Sequence, residues 1–256
     1  MSELTFEQKQ DHYHKIRRSN YLASLRLEGF DTQPADVDKP PADPRSRPRQ
    51  VPQHPTLMLD KYGVGQDPYC YPGSSVLRNR LDLLDDARLH QAERELSEIA
   101  VGSLPLFPPP YDLDRLQHIH HTLFGDIYDW AGELRSVNIQ KGDTLFCTPE
   151  RIPPEAAKIV RHMEEANWYV GASQAELVRQ IAEAYGDLNV IHPFREGNGR
   201  AQRILFEQII VNAGFSVNWW LVKHAAWVPA NIDAVACDYR GLESIFERCV
   251  SRPVGA

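Results

Sequence analysis

A mainly α-helical fold is predicted by three features of this 256-residue sequence. Apolar residues recur at helical spacing over most of its length, two capping boxes mark helix starts, and only one short stretch changes to strand period. The expected architecture is one helical domain with a short β-hairpin, preceded by a separate helix that docks on it.

Residues 5–28 read as the first helix. Thr5 and Gln8 fit a capping box, and Gly29-Phe30 fits a helix end. Tyr13, Ile16, Asn20, Ala23 and Leu27 form one stripe, and a lone helix of this length needs a surface to lie on. Seven of the 28 residues from 31 to 58 are proline, which is linker composition. The expected division is therefore 1–30 docking helix, 31–58 linker and 59–256 main domain.

Within the main domain, residues 78–103 read as a helix ending near Gly102, and Pro105–Pro110 breaks the chain before a second helix around 112–132. Leu134, Val137 and Ile139, then Leu145 and Phe146, flank a turn at Gly142-Asp143 and predict the hairpin over 134–147. Ser173 and Glu176 form the second capping box, opening a helix toward Leu188. Another helix is expected from about Gly199 to Asn212, stopped by Gly214.

The net charge of -7 argues against a protein that coats nucleic acid. Four scattered cysteines make no disulfide scaffold and fit a reducing cytoplasm, and no apolar run is long enough to span a membrane. His118, His120 and His121 look metal-like but fall on different helix faces, so zinc is not expected. Trp219, Trp220 and Trp227 read as core, and Arg17 and Arg18 as a solvated face or rim contacts.

The chemistry concentrates in His192-Pro193-Phe194-Arg195-Glu196-Gly197-Asn198-Gly199-Arg200-Ala201-Gln202-Arg203. Gly197, Asn198 and Gly199 lead into a helix N-terminus, where successive N–H groups and the helix dipole favour an anion. Arg200 and Arg203, three apart, are expected to project from one face and grip phosphate oxygens. Glu196 is a hard oxygen ligand suited to Mg²⁺, and His192 can accept a hydroxyl proton near neutral pH. These parts together point to phosphoryl or nucleotidyl transfer from a Mg-bound nucleotide.

HPFREGNGRAQR matches the Fic-domain motif HxFx(D/E)GNGRxxR at every specified position, and the stretch from KYGVGQDPYCYPG through HTLFGDIYDWAGELR also resembles class I Fic proteins. The resemblance implies a helical Fic-type fold whose hairpin is a flap holding the target segment. It implies AMP transfer from ATP, with Mg²⁺, to a Tyr, Ser or Thr hydroxyl of a protein. On this basis His192 is the general base and Glu196 the metal ligand. Asn198 and Gly199 bind the α-phosphate region, Arg200 and Arg203 hold the β- and γ-phosphates, Phe194 anchors the loop, and Lys141 and Gly142 lie near the nucleotide.

Ser24-Leu25-Arg26-Leu27-Glu28-Gly29 also matches (S/T)xxxE(G/N), the inhibitory motif of this family, borne in class I toxins by a separate antitoxin. The resemblance implies an antitoxin-like helix fused to the enzyme, with Glu28 on Arg203. A nucleotide-binding scaffold, or transfer of another phosphate-linked group, are the alternatives; the motif is nowhere degenerate, which weighs against the scaffold.

Overall fold

In the computed structural model, which describes residues 4–41 and 67–252, helix α1 runs from Phe6 to Leu27. It opens with the expected capping box: the Gln8 side chain accepts from the Thr5 N–H at 2.8 Å while the Thr5 hydroxyl accepts from the Gln8 N–H. The apolar stripe understates how this helix sits. Every residue from Asn20 to Leu25 is buried, so its C-terminal half is enclosed on all sides.

Part of that enclosure comes from the segment expected to be linker. A 3₁₀ turn at Pro34–Asp38 folds back on α1, the Thr32 hydroxyl donates to the Leu22 carbonyl at 2.7 Å, and Arg18 donates to the carbonyls of Val37 and Lys39. Residues 42–58 of the expected linker, and its boundary at 59, lie outside the described residues.

Helix α2 spans Asp86–Val101 and α3 Leu113–Phe124. The sequence predicts α2 about eight residues too early. Leu81, Leu83 and Leu84 imitate helical spacing, but the Asn79 side chain ties the Leu81 and Leu83 N–H groups into a turn, and Asp85 is the true cap, accepting from the Arg88 N–H. The hairpin is shorter than 134–147: β1 is Gln140–Lys141 and β2 Thr144–Leu145, antiparallel around the expected turn, where Gly142 takes φ +59°.

Helix α4 (Ile152–Glu165) precedes α5 (Gln174–Ile191), which opens on the Ser173–Glu176 capping box, and α6 (Asn198–Asn212) follows. A second small sheet pairs β3 (Ser216–Val217) with β4 (Val250–Ser251), bracketing α7 (His224–Val235) and α8 (Arg240–Cys249). α6 is the axis of the fold: all of its residues except Gly199 are buried, and α1, α3 and α5 pack against it. Trp219 and Trp227 belong to this core, with Trp220 half-buried at its edge.

Cations on α1 seat it against exposed ends of other elements. Lys9 donates to the Asn212 carbonyl at 2.6 Å, Arg17 to the Gly102 and Leu104 carbonyls, and Arg26 to those of Trp220 and Val222. The last carbonyls of a helix lack partners within it and carry the negative end of its dipole, so the contacts at Asn212 and Gly102 satisfy orphan groups. Arg17 and Arg18 are thus rim contacts, not a solvated face. No helix among the described residues is long and apolar enough to cross a membrane.

Candidate active site

His192 terminates α5 in a left-handed conformation, φ 47° and ψ 64°, which turns its ring out of the helix line. Its Nδ1 lies 3.0 Å from the Asn189 carbonyl, an acceptor only, so Nδ1 carries the proton and Nε2 is the basic nitrogen. Burial pushes this imidazole down to about 4; the Asn189 bond opposes that and the charge of Lys141 assists it. His192 is therefore neutral at physiological pH and able to accept a proton.

The loop beyond it is locked by its own side chains. The Phe194 N–H donates to Asn198 Oδ1 at 2.8 Å and Asn198 Nδ2 returns a bond to the Phe194 carbonyl at 2.7 Å. Asn198 thus spends its amide on loop shape, leaving its backbone N–H as what it offers an anion. Phe194 is fully buried, as expected of an anchor, and stacks on His120 with centroids 3.9 Å apart. The Gly132 N–H donates to His120 Nδ1, so Nε2–H donates to the Glu196 carbonyl at 2.9 Å. His120 is a prop for the loop. Gly197 needs both its φ of +78° and its bareness, since a Cβ there would meet the Phe124 ring at 2.5 Å.

A second staple was not legible in the sequence. Arg135, 2% exposed, donates to the Val137 and Cys147 carbonyls of the hairpin segment and to the Ile191 and His192 carbonyls of the loop. One planar guanidinium thereby fixes the hairpin segment relative to His192.

These elements surround a cavity of 330 Å³. His192, Glu196, Gly197, Asn198, Gly199 and Arg203 line it from the loop and α6, and Lys141 and Gly142 from the hairpin. Glu28 lines it too. Arg203 Nη2 meets Glu28 Oε1 at 2.5 Å, and its Nε donates to the Ser24 hydroxyl at 2.6 Å, so both residues of the short N-terminal motif converge on one guanidinium. The carboxylate rests on the first turn of α6, where a Cβ on Gly199 would lie 2.2 Å from Glu28 Oε1. Burial alone would raise this carboxyl, but the Arg203 guanidinium, with Lys141 and Arg200 behind it, holds it down at about 2.

Arg200 departs from expectation. Unlike Arg203, it is not among the residues lining the cavity. Its Nη2 pairs with Glu93 of α2 at 2.7 Å and lies 3.7 Å from Glu196 Oε1, and its guanidinium covers the Phe124 ring at 4.6 Å. Glu196, 24% exposed, presents one carboxylate to the cavity beside a helix N-terminus. A single hard oxygen ligand there fits Mg²⁺ that takes its remaining ligands from phosphates and water. Among the described residues no group of three or more His, Cys, Asp or Glu side chains is arranged to hold a metal by itself.

The opposite wall comes from α7, where Trp227, Val228, Asn231, Ile232 and Val235 line the cavity. Sequence reasoning missed this wall and Glu93, because neither carries a local motif.

A helical protein whose buried central helix begins at a glycine-rich loop, beside a neutral histidine and a small hairpin on one cavity, is a narrow class. The chain belongs to the Fic/DOC family, which residues 110–210 match. Residues 2–47 separately match the family described as YhfG. "Probable protein adenylyltransferase Fic" of Escherichia coli strain K12 is 41% identical over 194 residues, 76% of this chain and 97% of that protein. Protein adenylyltransferase VbhT of Bartonella schoenbuchensis is 34% identical over 178 residues, 69% of this chain and 37% of that protein. Among solved structures, the N-terminal FIC domain of Bep8 from Bartonella sp. 1-1C superposes with a TM-score of 0.67 at 25% identity, over 73% of this chain and 97% of that one.

Proposed function

We propose that the chain, an enzyme of the protein adenylyltransferase class, moves AMP from Mg-ATP to a Tyr, Ser or Thr hydroxyl of a protein target and is held inactive by its own N-terminal helix. The observation that carries the transfer reading is the single cavity shared by the basic Nε2 of neutral His192, the N-terminus of α6 and the buried Arg203.

Triphosphate oxygens fit against the first N–H groups of α6, which have no partner within the helix, and against Arg203. The apolar wall of α7 suits the base. A target segment along the flap presents its hydroxyl to His192. As the hydroxyl oxygen bonds to the α-phosphorus, its proton passes to His192 Nε2, the bond from the α-phosphorus to the bridging oxygen breaks, and pyrophosphate leaves with that electron pair. Mg²⁺ on Glu196 would supply charge stabilisation for the leaving phosphates.

Glu28 supports the inhibited reading, since it occupies the guanidinium and the helix-end position that a terminal phosphate needs. The separate family match over residues 2–47 supports a distinct N-terminal unit, which we read as antitoxin-like and joined to a toxin-type enzyme. All four cysteines are free thiols, which supports a reducing compartment such as the cytoplasm.

The test is transfer of label from ATP carrying α-³²P to lysate proteins by the Glu28→Gly chain with and without His192→Ala. Label on protein that requires His192 is expected; label unaffected by His192→Ala would overturn the reading.

A further inference from the structure

The Fic motif accounts for Arg200 but not for the carboxylate that holds it. Glu93 sits on α2, 107 positions before Arg200, and is 6% exposed. Its Oε2 takes Arg200 Nη2 at 2.7 Å, while its Oε1 accepts from the Tyr128 hydroxyl. Burial and the Glu93 charge both push the Tyr128 phenol up, so it stays protonated and remains a donor.

The same Arg200 nitrogen lies 3.7 Å from Glu196 Oε1, an ångström farther than from Glu93. One buried cation thus stands between two carboxylates, only one of which lines the cavity. Arg200 Nη1 is buried without a partner, and the ring of Phe124 supports the guanidinium from below without fixing its direction. The choice of carboxylate therefore falls to Glu93.

We infer that Glu93, braced by Tyr128, is a positioning residue that retains the Arg200 guanidinium and thereby keeps the Glu196 carboxylate available to a divalent cation. The inference rests on Glu196 being the cation's ligand. A buried guanidinium deprived of its carboxylate seeks another, and Glu196 is the next within reach. With Glu93 neutral, Arg200 closes on Glu196, cancels its charge and competes with the metal. This places α2, which contributes nothing to the cavity wall, in control of the cation's affinity.

The experiment uses the full chain carrying Glu28→Gly, with α,β-methylene ATP saturating the site and Mn²⁺ as the probe, its free form read by electron paramagnetic resonance. Glu93→Gln is expected to weaken Mn²⁺ binding by roughly 10–100-fold, the range found when groups orienting a metal ligand are removed. Added to Glu196→Gln, it should change nothing further, and Glu93→Asp should restore part of the affinity. If Glu196→Gln weakens Mn²⁺ but Glu93→Gln does not, the positioning role is overturned and the cation site stands. Equal weakening by Glu93→Gln with and without Glu196 also overturns it. Mn²⁺ binding indifferent to Glu196→Gln overturns the cation reading, and this inference with it. Should Glu93→Gln fail to fold, Tyr128→Phe removes one hydroxyl only. A smaller loss that depends on Glu196 is then expected, and no loss overturns the inference.

Discussion

The ring of Phe146 lies flat on the imidazole of His192, with centroids 3.9 Å apart and planes 16° from parallel. Phe146 follows β2 and its N–H reaches the Ile139 carbonyl, so it moves with the flap. His192 is thus set by two restraints, the Asn189 carbonyl at its edge and a flap side chain on its face. The hairpin segment proposed to receive a target thus also aligns His192.

Phe146→Ala should therefore reduce the turnover of the Glu28→Gly chain by about 10²-fold, the scale of loss expected when a reacting group is misplaced by an ångström. Phe146→Tyr, which keeps the stacked ring, should recover most of it. Steady-state kinetics with a labelled target decides the matter; Phe146→Ala at the parent rate would show that the stacking is incidental.

Arg135→Lys tests the staple between flap and loop. An ammonium on a flexible stem cannot reproduce the planar fork that reaches four carbonyls, so loosened carbonyls are left buried. The expected outcome is a melting temperature lower by several degrees with a loss of transfer exceeding that caused by an exposed Arg→Lys change such as Arg248→Lys.

The pH profile of transfer should carry the mark of a buried base. Burial puts His192 at about 4 rather than at its ordinary 6.5, so the fraction in the basic form stays near one from pH 8 to about 5. Activity of the Glu28→Gly chain is expected to be flat over that window and to fall as pH drops through about 4. A fall centred near 6.5 would mean that the ring is solvated during turnover.

Glu28→Gly should raise transfer sharply over the parent chain, because it frees Arg203 and the first turn of α6 together. Arg203→Ala should not have the same effect: it also releases Glu28 but removes the proposed phosphate contact, so activity is expected to stay low. The carboxyl of Glu28 at about 2 lies below its ordinary 4.5, so its stabilising contribution is complete above pH 4.5 and is lost as pH falls through about 2. Inhibition should therefore not vary between pH 5 and 8. Equal activity of parent and Glu28→Gly chains would reject inhibition by α1.

Glu207, one turn beyond Arg203 on α6, is 3% exposed, and its Oε1 has no partner. Burial pushes it up to about 8, against the opposing contacts of Asn20 and Trp219 and the charge of Arg17. Between its ordinary 4.5 and 8 the unfolded chain has released this proton and the folded chain has kept it, so stability declines as pH rises across that window. Glu207→Gln should remove the decline, raising the melting temperature at pH 8 by several degrees with little gain at pH 4.5. No difference in gain between the two pH values would show that Glu207 is ionised in the fold.

What could be read from the sequence was what is local. The loop 192–203 packs its donors, its glycines and its loop-locking Asn198 into twelve neighbours, and the turn at Gly142 and the Thr5 and Ser173 boxes are equally self-contained. Glu93, Tyr128 and Arg135 act on residues far along the chain or on carbonyls, and no spacing announces them. Helix α4 opens at Ile152 without a side-chain cap, and α7 has none either and carries Pro229 inside it, so neither shows a capping box. The periodicity that misplaced the start of α2 came from leucines left at the surface, Leu84 at 70% exposure. The partner of Arg200 was illegible for a related reason: Glu93 lies 107 positions away, and no local spacing announces it.

The contact between Glu28 and Arg203 joins two residues of one polypeptide. Its occupancy is then a first-order equilibrium, untouched by dilution, by cell growth or by unequal synthesis of two gene products. A separate inhibitor protects only while it outnumbers its enzyme, and its loss by proteolysis sets the whole population free at once. On the proposed reading of this contact, each molecule carries its own restraint at a ratio of one to one, released only molecule by molecule, by whatever pries open that single chain.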